Sequence, residues 1–120
     1  MKKWKSLTFG LTMIAGSAVA YNAFAETMIK LGVLNDQSGL YADLAGQGSV
    51  VAAKMAIQDS GIEKRGYKVE VVSADHQNKA DVGSGIARQW LDVDKVDAIL
   101  DVPNSGVALA VNQIVKDKNK

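Results

Sequence analysis

Apolar residues fall in three short runs, at 29–34, 67–74 and 98–102, each followed by a polar turn and then a helical pattern. The first run, Ile29, Leu31, Val33 and Leu34, is nearly continuous, broken only by Lys30 and Gly32. Such a run predicts a central parallel strand covered on both faces. A polar turn over 35–41 follows, and then a helix. On its wheel Leu44, Gly48, Val51, Ala52 and Met55 share one stripe, with Asp43, Gln47, Lys54 and Gln58 on another side. Gly48 in that stripe predicts close approach of the helix to a sheet. Ser60 and Gly61 close the helix, Gly61 as a left-handed cap.

The same unit then repeats twice. Over 67–74, Tyr67, Val69 and Val71 alternate with Lys68, Glu70 and Val72, which predicts a half-polar strand suited to a sheet edge. The turn 75–79 leads to a second helix, for which Asn78 is the expected cap and Asp81 its capping-box partner. Val82, Ile86, Trp90 and Val93 are placed on its buried face. The third run is apolar except for Asp101. After the turn 103–106, Val107, Val111 and Ile114 line a third helix, and the charged run 117–120 ends the sequence. The order β-α-β-α-β-α implies parallel strands joined by right-handed crossovers, the start of a doubly wound α/β sheet. Such sheets rarely stop at three strands, so the chain reads as part of a larger lobe.

The first 25 residues carry a different pattern. Lys2, Lys3 and Lys5 precede a mostly apolar, uncharged stretch, and Ala23-Phe24-Ala25 supplies a small-x-small cleavage site ahead of Glu26. This is the pattern of a cleavable export signal over 1–25, with Ala18-Val19-Ala20 as a second possible site. A membrane anchor needs ~20 apolar residues, and Gly10, Gly16 and Ser17 dilute this stretch. The formal charge of +1 is dominated by those three lysines. From Glu26 onward 11 Lys and Arg face 13 Asp and Glu, a net of −2. No basic patch with interleaved aromatics exists, so nucleic acid is not an expected partner. There is no cysteine, hence no disulfide framework, thiol nucleophile or lipid-modified N-terminal cysteine.

In open α/β folds ligands bind beyond the carboxyl ends of the strands. The loops 36–41, 75–79 and 103–106 are therefore the candidate site, the first and third being neighbours if the strand order is 2-1-3. Ser105 is the expected cap of the third helix, leaving the amides of Gly106, Val107 and Ala108 free to receive a carboxylate. Ser38 and Gly39 shape a turn toward the same side, and Tyr41 offers an aromatic face. Gly46-x-Gly48 lies inside a helical pattern with no Lys-Ser/Thr after it, and is not read as a phosphate loop. His76, the only histidine, reads as a solvated turn residue. Trp90 reads as core.

The segments Ile29-Lys30-Leu31-Gly32-Val33-Leu34, Ser38-Gly39, Met55-Ala56-Ile57-Gln58-Asp59, Asp75-His76-Gln77-Asn78-Lys79-Ala80-Asp81 and Ile86-Ala87-Arg88-Gln89-Trp90, in that order behind an export signal, resemble the periplasmic binding proteins. The similarity is to their branched-chain amino-acid (leucine-binding-like) branch, over residues 29–120. The resemblance implies a hinged, two-lobed receptor, not an enzyme, that passes a small ligand to the membrane permease of an ABC importer. It implies no cofactor, with 26–120 forming the first part of lobe I. It assigns ligand contacts to Ser38, Gly39, Tyr41, Asn104, Ser105 and Gly106, and ligands that are amino acids, amides or aromatic carboxylates. Two positions depart from the family pattern: Asp101 stands where glycine is common, and Pro103-Asn104 precede the serine where small residues are frequent. The competing class is a receiver- or phosphatase-like domain using Asp36 and Asp101 with magnesium. It requires a cytoplasmic location, which an export signal opposes. An esterase would need a Gly-x-Ser-x-Gly elbow and a placed histidine, and the chain has neither.

Overall fold

The computed structural model describes residues 26–120, so the export-signal reading of 1–25 lies outside the described residues. Strand β1 (Thr27–Asn35) is followed by α1 (Gly46–Ser60), β2 (Tyr67–Asp75), α2 (Ala80–Gln89), β3 (Ala98–Leu100) and α3 (Ser105–Asp117). A short 3-10 turn, Ile62–Arg65, precedes β2, and a π turn, Trp90–Asp94, extends α2. The strands form one parallel sheet in the order β2-β1-β3. Gly32 sits opposite Val72 on one side and Ile99 on the other. The strand order brings the first and third loops together, as expected.

Alternation along β1 sends its residues to two different environments. On the even-numbered face Leu34 joins a cluster with Ala87, Trp90, Leu91, Val96, Val107, Val111 and Ile114 from α2, its π turn and α3. Val72, Ala74 and Ile99 of the flanking strands pack against that cluster. Gly32 belongs to this face, and a Cβ there would lie 2.4 Å from a ring carbon of Trp90. The missing side chain in β1 is the space the indole fills. On the other face Ile29, Leu31 and Val69 line a shared hollow with Ala53 and Ile57 of α1.

Several local expectations are corrected. The inward stripe of α1 is Gly46, Val50, Ala53 and Ile57, buried or half-buried. Leu44, Val51 and Met55 face outward, 82%, 55% and 56% exposed. Gly48 has open space around it. The glycine that the fold requires is Gly46, buried with φ +43 and packed beside the carbonyl of Asp36. A positive φ strains any residue with a Cβ. Asn78 does not cap α2: it takes φ 56, directly after Gln77 at φ 53, and Lys79 occupies the cap position without a side-chain bond. In the π turn the Lys95 amide bonds back to the Trp90 carbonyl, five residues earlier. That wider turn brings Leu91 inward and leaves Val93 62% exposed. Gly61 caps α1 at φ 61 as expected. No helix among the described residues is long and apolar enough to cross a membrane.

Candidate functional site

The three loops at the carboxyl edge of the sheet are tied together by polar side chains, of which Asp36 is fully buried and Asp75, Asn78 and Asn104 are half-buried. Asp36, fully buried, organises the first loop. Its Oδ1 accepts from the Gly39 amide at 2.9 Å, and its Oδ2 accepts from the Tyr41 amide at 2.9 Å. A Cβ on Gly39 would stand 2.7 Å from both carboxyl oxygens, so only glycine allows the loop to close over Asp36. Asp36 Oδ2 also accepts from Asn78 Nδ2 at 2.6 Å, which fastens the second loop to the first. The Asn78 side-chain oxygen, Oδ1, in turn accepts from Asn104 Nδ2 at 3.3 Å, reaching the third loop. The left-handed pair Gln77-Asn78 is what turns the Asn78 amide toward Asp36, and Asn is among the residues that tolerate that conformation.

Asp75 provides a second tie. Its carboxyl accepts from the Gln37 and Gln77 amides and from the Ser38 hydroxyl. Burial opposes ionisation there, but those hydrogen bonds, with a smaller contribution from His76, hold the carboxyl below its ordinary value of 3.8. His76 is fully buried, against the expectation of a solvated turn residue. Its Nδ1 accepts from the Asn78 amide at 3.0 Å, so the neutral ring carries its proton on Nε2. Burial lowers its pKa below 6.5 and outweighs the opposing pull of Asp36, Asp75 and Asp101.

Both shifts have the same sign for stability. A group whose folded pKa lies below its unfolded value stabilises the fold above the unfolded value and loses that contribution as pH falls through the folded one. The thermal midpoint should therefore drop in two stages on acidification. The first begins below pH 6.5 as His76 takes up a proton, and the second below pH 3.8 as Asp75 does. Calorimetry across that range should show His76→Gln, which cannot charge, removing only the first stage. A His76→Gln profile that still falls between pH 6.5 and 5 would refute the assignment.

The third loop corrects one expectation outright. Asn104, not Ser105, caps α3: its side-chain oxygen accepts from the Val107 amide at 3.0 Å, and its carbonyl takes the Ala108 amide. Val107 and Ala108 are thus not free donors. The amides of Ser105 and Gly106, the first two residues of the helix, have no partner among the described residues. Ser105 and Gly106 are exposed. Both ends of the Asn104 amide are engaged inside the protein.

Between the first and third loops lies a cleft of about 350 Å³ lined by Tyr41, Leu44, Ala45, Ser49, Asp101 and Pro103. Tyr41 stands at it, 41% exposed. Ser38 is exposed but its hydroxyl points to Asp75, and Gly39 serves the Asp36 turn. Of the six expected contact residues, then, Tyr41, Ser105 and Gly106 present free groups, while Ser38, Gly39 and Asn104 hold the loops in place. Sequence reasoning missed Asn35, Asp36, His76 and Asn78 as the frame of the site. The spacing Asp36-x-x-Gly39 carried a usable signal, since Asp side chains in turns accept backbone amides a short way down the chain. The magnesium alternative also loses its basis. Asp36 has both oxygens taken by N–H donors, and among the described residues no three His, Cys, Asp or Glu are grouped as metal ligands.

A parallel α/β layer with its polar loops gathered beyond the strand carboxyl ends is the arrangement of open α/β sheets, a class in which ligands bind at that edge. Within that class, the family model of the periplasmic binding proteins matches residues 28–120, and the chain belongs to this family. A periplasmic binding protein from Burkholderia mallei is 46% identical over 80% of this chain, with a TM-score of 0.73. A branched-chain amino acid ABC transporter periplasmic ligand-binding protein from Burkholderia xenovorans is 58% identical over 77% of the chain, with a TM-score of 0.72. The likeness to an ABC-transporter solute-binding protein from R. palustris, in complex with benzoate, concerns the fold alone: 24% identity over 76% of this chain and 25% of that one, with a TM-score of 0.68. The chain spans 25% of the length of each of the two Burkholderia proteins. Comparison with curated proteins gives no match.

Proposed function

We propose that residues 26–120 are the first part of lobe I of an exported solute receptor, which binds a small carboxylate or amino-acid-like ligand and delivers it to an ABC importer permease. On this reading residues 1–25 are removed on export, the mature receptor works in the periplasm, and a second lobe closes over the ligand. The observation that carries it is the pair of unpartnered amides at Ser105 and Gly106, with the Ser105 hydroxyl beside them, on the loop that borders the Tyr41 cleft. Free amides at a helix N-terminus favour a carboxylate. The name of the Burkholderia xenovorans relative, a branched-chain amino acid transporter component, supports the same ligand class. Binding and release need no bond to break, so no catalytic group is invoked.

Ser105 supplies the test. A hydrogen bond to a charged partner is worth ~1.5–3 kcal/mol, which is about ten- to hundredfold in affinity. Ser105→Ala in the whole receptor should weaken binding by that factor in titration calorimetry. It should leave thermal stability nearly unchanged, because Asn104 is the cap. Asn104→Ala should do the converse at the helix end, costing ~1 kcal/mol of stability. An affinity for Ser105→Ala within about twofold of wild type would remove the residue from the site.

A further inference from the structure

His76 is fully buried, and neither form of its ring is fully satisfied there. With the ring neutral, Nδ1 accepts from the Asn78 amide at 3.0 Å, and the Nε2 proton has no partner among the described residues. With the ring charged, Nδ1 carries a proton too and faces the very N–H from which it had accepted. The ring then holds two unpaired buried donors and the Asn78 amide loses its acceptor, each at a cost in free energy. The charges around the ring decide where it finds relief. Asp36 on the first loop, Asp75 at the end of β2 and Asp101 after β3 favour the charged form, although burial opposes it more strongly. The charged residues of α2 and α3, Asp81, Arg88, Lys116 and Asp117, are exposed, as is Lys79 before α2. Those helices wall the ring with close packing instead: a Cβ on Gly83 would lie 3.5 Å from the His76 Cβ and 2.5 Å from Val107. A charged ring therefore gains by turning toward the carboxylates, and that turn breaks its bond to Asn78.

Asn78 is the hub of the loop frame. Its side chain donates to Asp36 and accepts from Asn104, and its backbone holds φ 56 directly after Gln77 at φ 53. Two successive left-handed residues other than glycine are a costly arrangement that persists only while neighbouring bonds enforce it. Asn104 caps α3 through the Val107 amide, and the free donors of Ser105 and Gly106 lie between the two. We propose that His76 is a positioning residue with an acid-sensitive grip. Neutral, it holds Asn78 and through it the second and third loops; charged, it lets Asn78 go, and the Ser105 and Gly106 donors lose their fixed place. For the ligand this rests on the receptor reading above. Acid should weaken binding, and because such coupling is reciprocal, binding should expel a proton from the ring.

Nuclear magnetic resonance on the whole receptor reads the grip without any ligand. From about pH 7 to about pH 4.5 the ring nitrogens of His76 report its charge directly. The Asn78 and Val107 amides, both hydrogen-bonded when the ring is neutral, should lose about tenfold in exchange protection with the same midpoint. His76→Asn is the matched variant: its side-chain oxygen hangs from Cγ as Nδ1 does, accepts from the Asn78 amide and never charges. In that variant the acid loss of protection should vanish. Titration calorimetry with L-leucine as the probe should show wild-type affinity falling about tenfold across the midpoint, with a proton released on binding; His76→Asn should show neither. Protection that stays constant while the ring charges, or that falls equally in His76→Asn, overturns the proposal. The first of these comparisons uses wild type alone, so it decides even where the variant folds poorly. L-leucine bound equally on both sides of the midpoint overturns the link to the ligand. Protection that follows the ring in a receptor binding no L-leucine at any pH supports the grip and counts against the amino-acid ligand of the receptor reading.

Discussion

Asp36→Asn should destabilise this protein by about 3 kcal/mol or more, although the change is one of the smallest available in side-chain shape. Three N–H groups converge on the two oxygens of Asp36, from Gly39, Tyr41 and Asn78. Asparagine has one oxygen. If that oxygen serves Tyr41 and Asn78, its NH2 group faces the Gly39 amide; if it is turned over, two donors face the NH2 instead. Each buried donor left unpaired costs ~1–3 kcal/mol, and bonds to a charged acceptor contribute ~1.5–3 kcal/mol. Loss of the Asn78 bond also frees the second loop, so ligand affinity should fall with stability. Chemical denaturation of wild type and variant measures the first effect and calorimetric titration the second. A variant within about 0.5 kcal/mol of wild type would mean that Asp36 does not hold the loops.

Gly32→Ala should be nearly as damaging for a different reason. The added methyl would sit 2.4 and 2.5 Å from two carbons of the Trp90 ring, well inside contact distance. Neither side can yield easily: β1 is paired on both edges, and Trp90 is only 7% exposed among α2, α3 and the sheet. Overpacking of this kind costs ~1–3 kcal/mol, and the closeness of the contact places Gly32→Ala at the upper end. Trp90→Leu opens the space the methyl needs. The double variant Gly32→Ala/Trp90→Leu should therefore be more stable than the sum of the single losses predicts, by an interaction energy of ~1 kcal/mol or more. Strict additivity in that cycle would show that the strain is relieved elsewhere.

The sheet was legible because its signals are local. Three apolar runs and two helical intervals fix parallel strands, and parallel strands with short crossovers fix the side on which the loops gather. The inward face of α1 was not legible. Positions 44, 48, 51, 55 and positions 46, 50, 53, 57 are both spaced as helical stripes, and the first carries the larger residues. The fold buries the second, because Gly46, Val50 and Ala53 let the helix lie close to the sheet. Size on a helical wheel measures what a face could bury, not how near its neighbour stands. His76 was misjudged for a similar reason. Its sequence neighbours are polar, but its burial comes from α2 and α3, where a Cβ on Gly83 would lie 2.5 Å from Val107 and 3.5 Å from the His76 Cβ. Asn78 and Asn104 form their tie across 26 residues, a pairing to which no local pattern points.

The chain of side chains from Asp36 through Asn78 to Asn104 has a thermodynamic consequence. Loops that must be ordered by their ligand draw on its interaction energy, at ~0.5–1.5 kcal/mol for each side chain immobilised. Here the frame of all three loops is already fastened by protein–protein hydrogen bonds before any ligand arrives. On the proposed receptor reading, a ligand settling on this edge finds its backbone donors in position and surrenders mainly its own freedom and the water it displaces. Association at this surface should then behave as docking to a rigid template, with little heat-capacity change arising from the loops themselves.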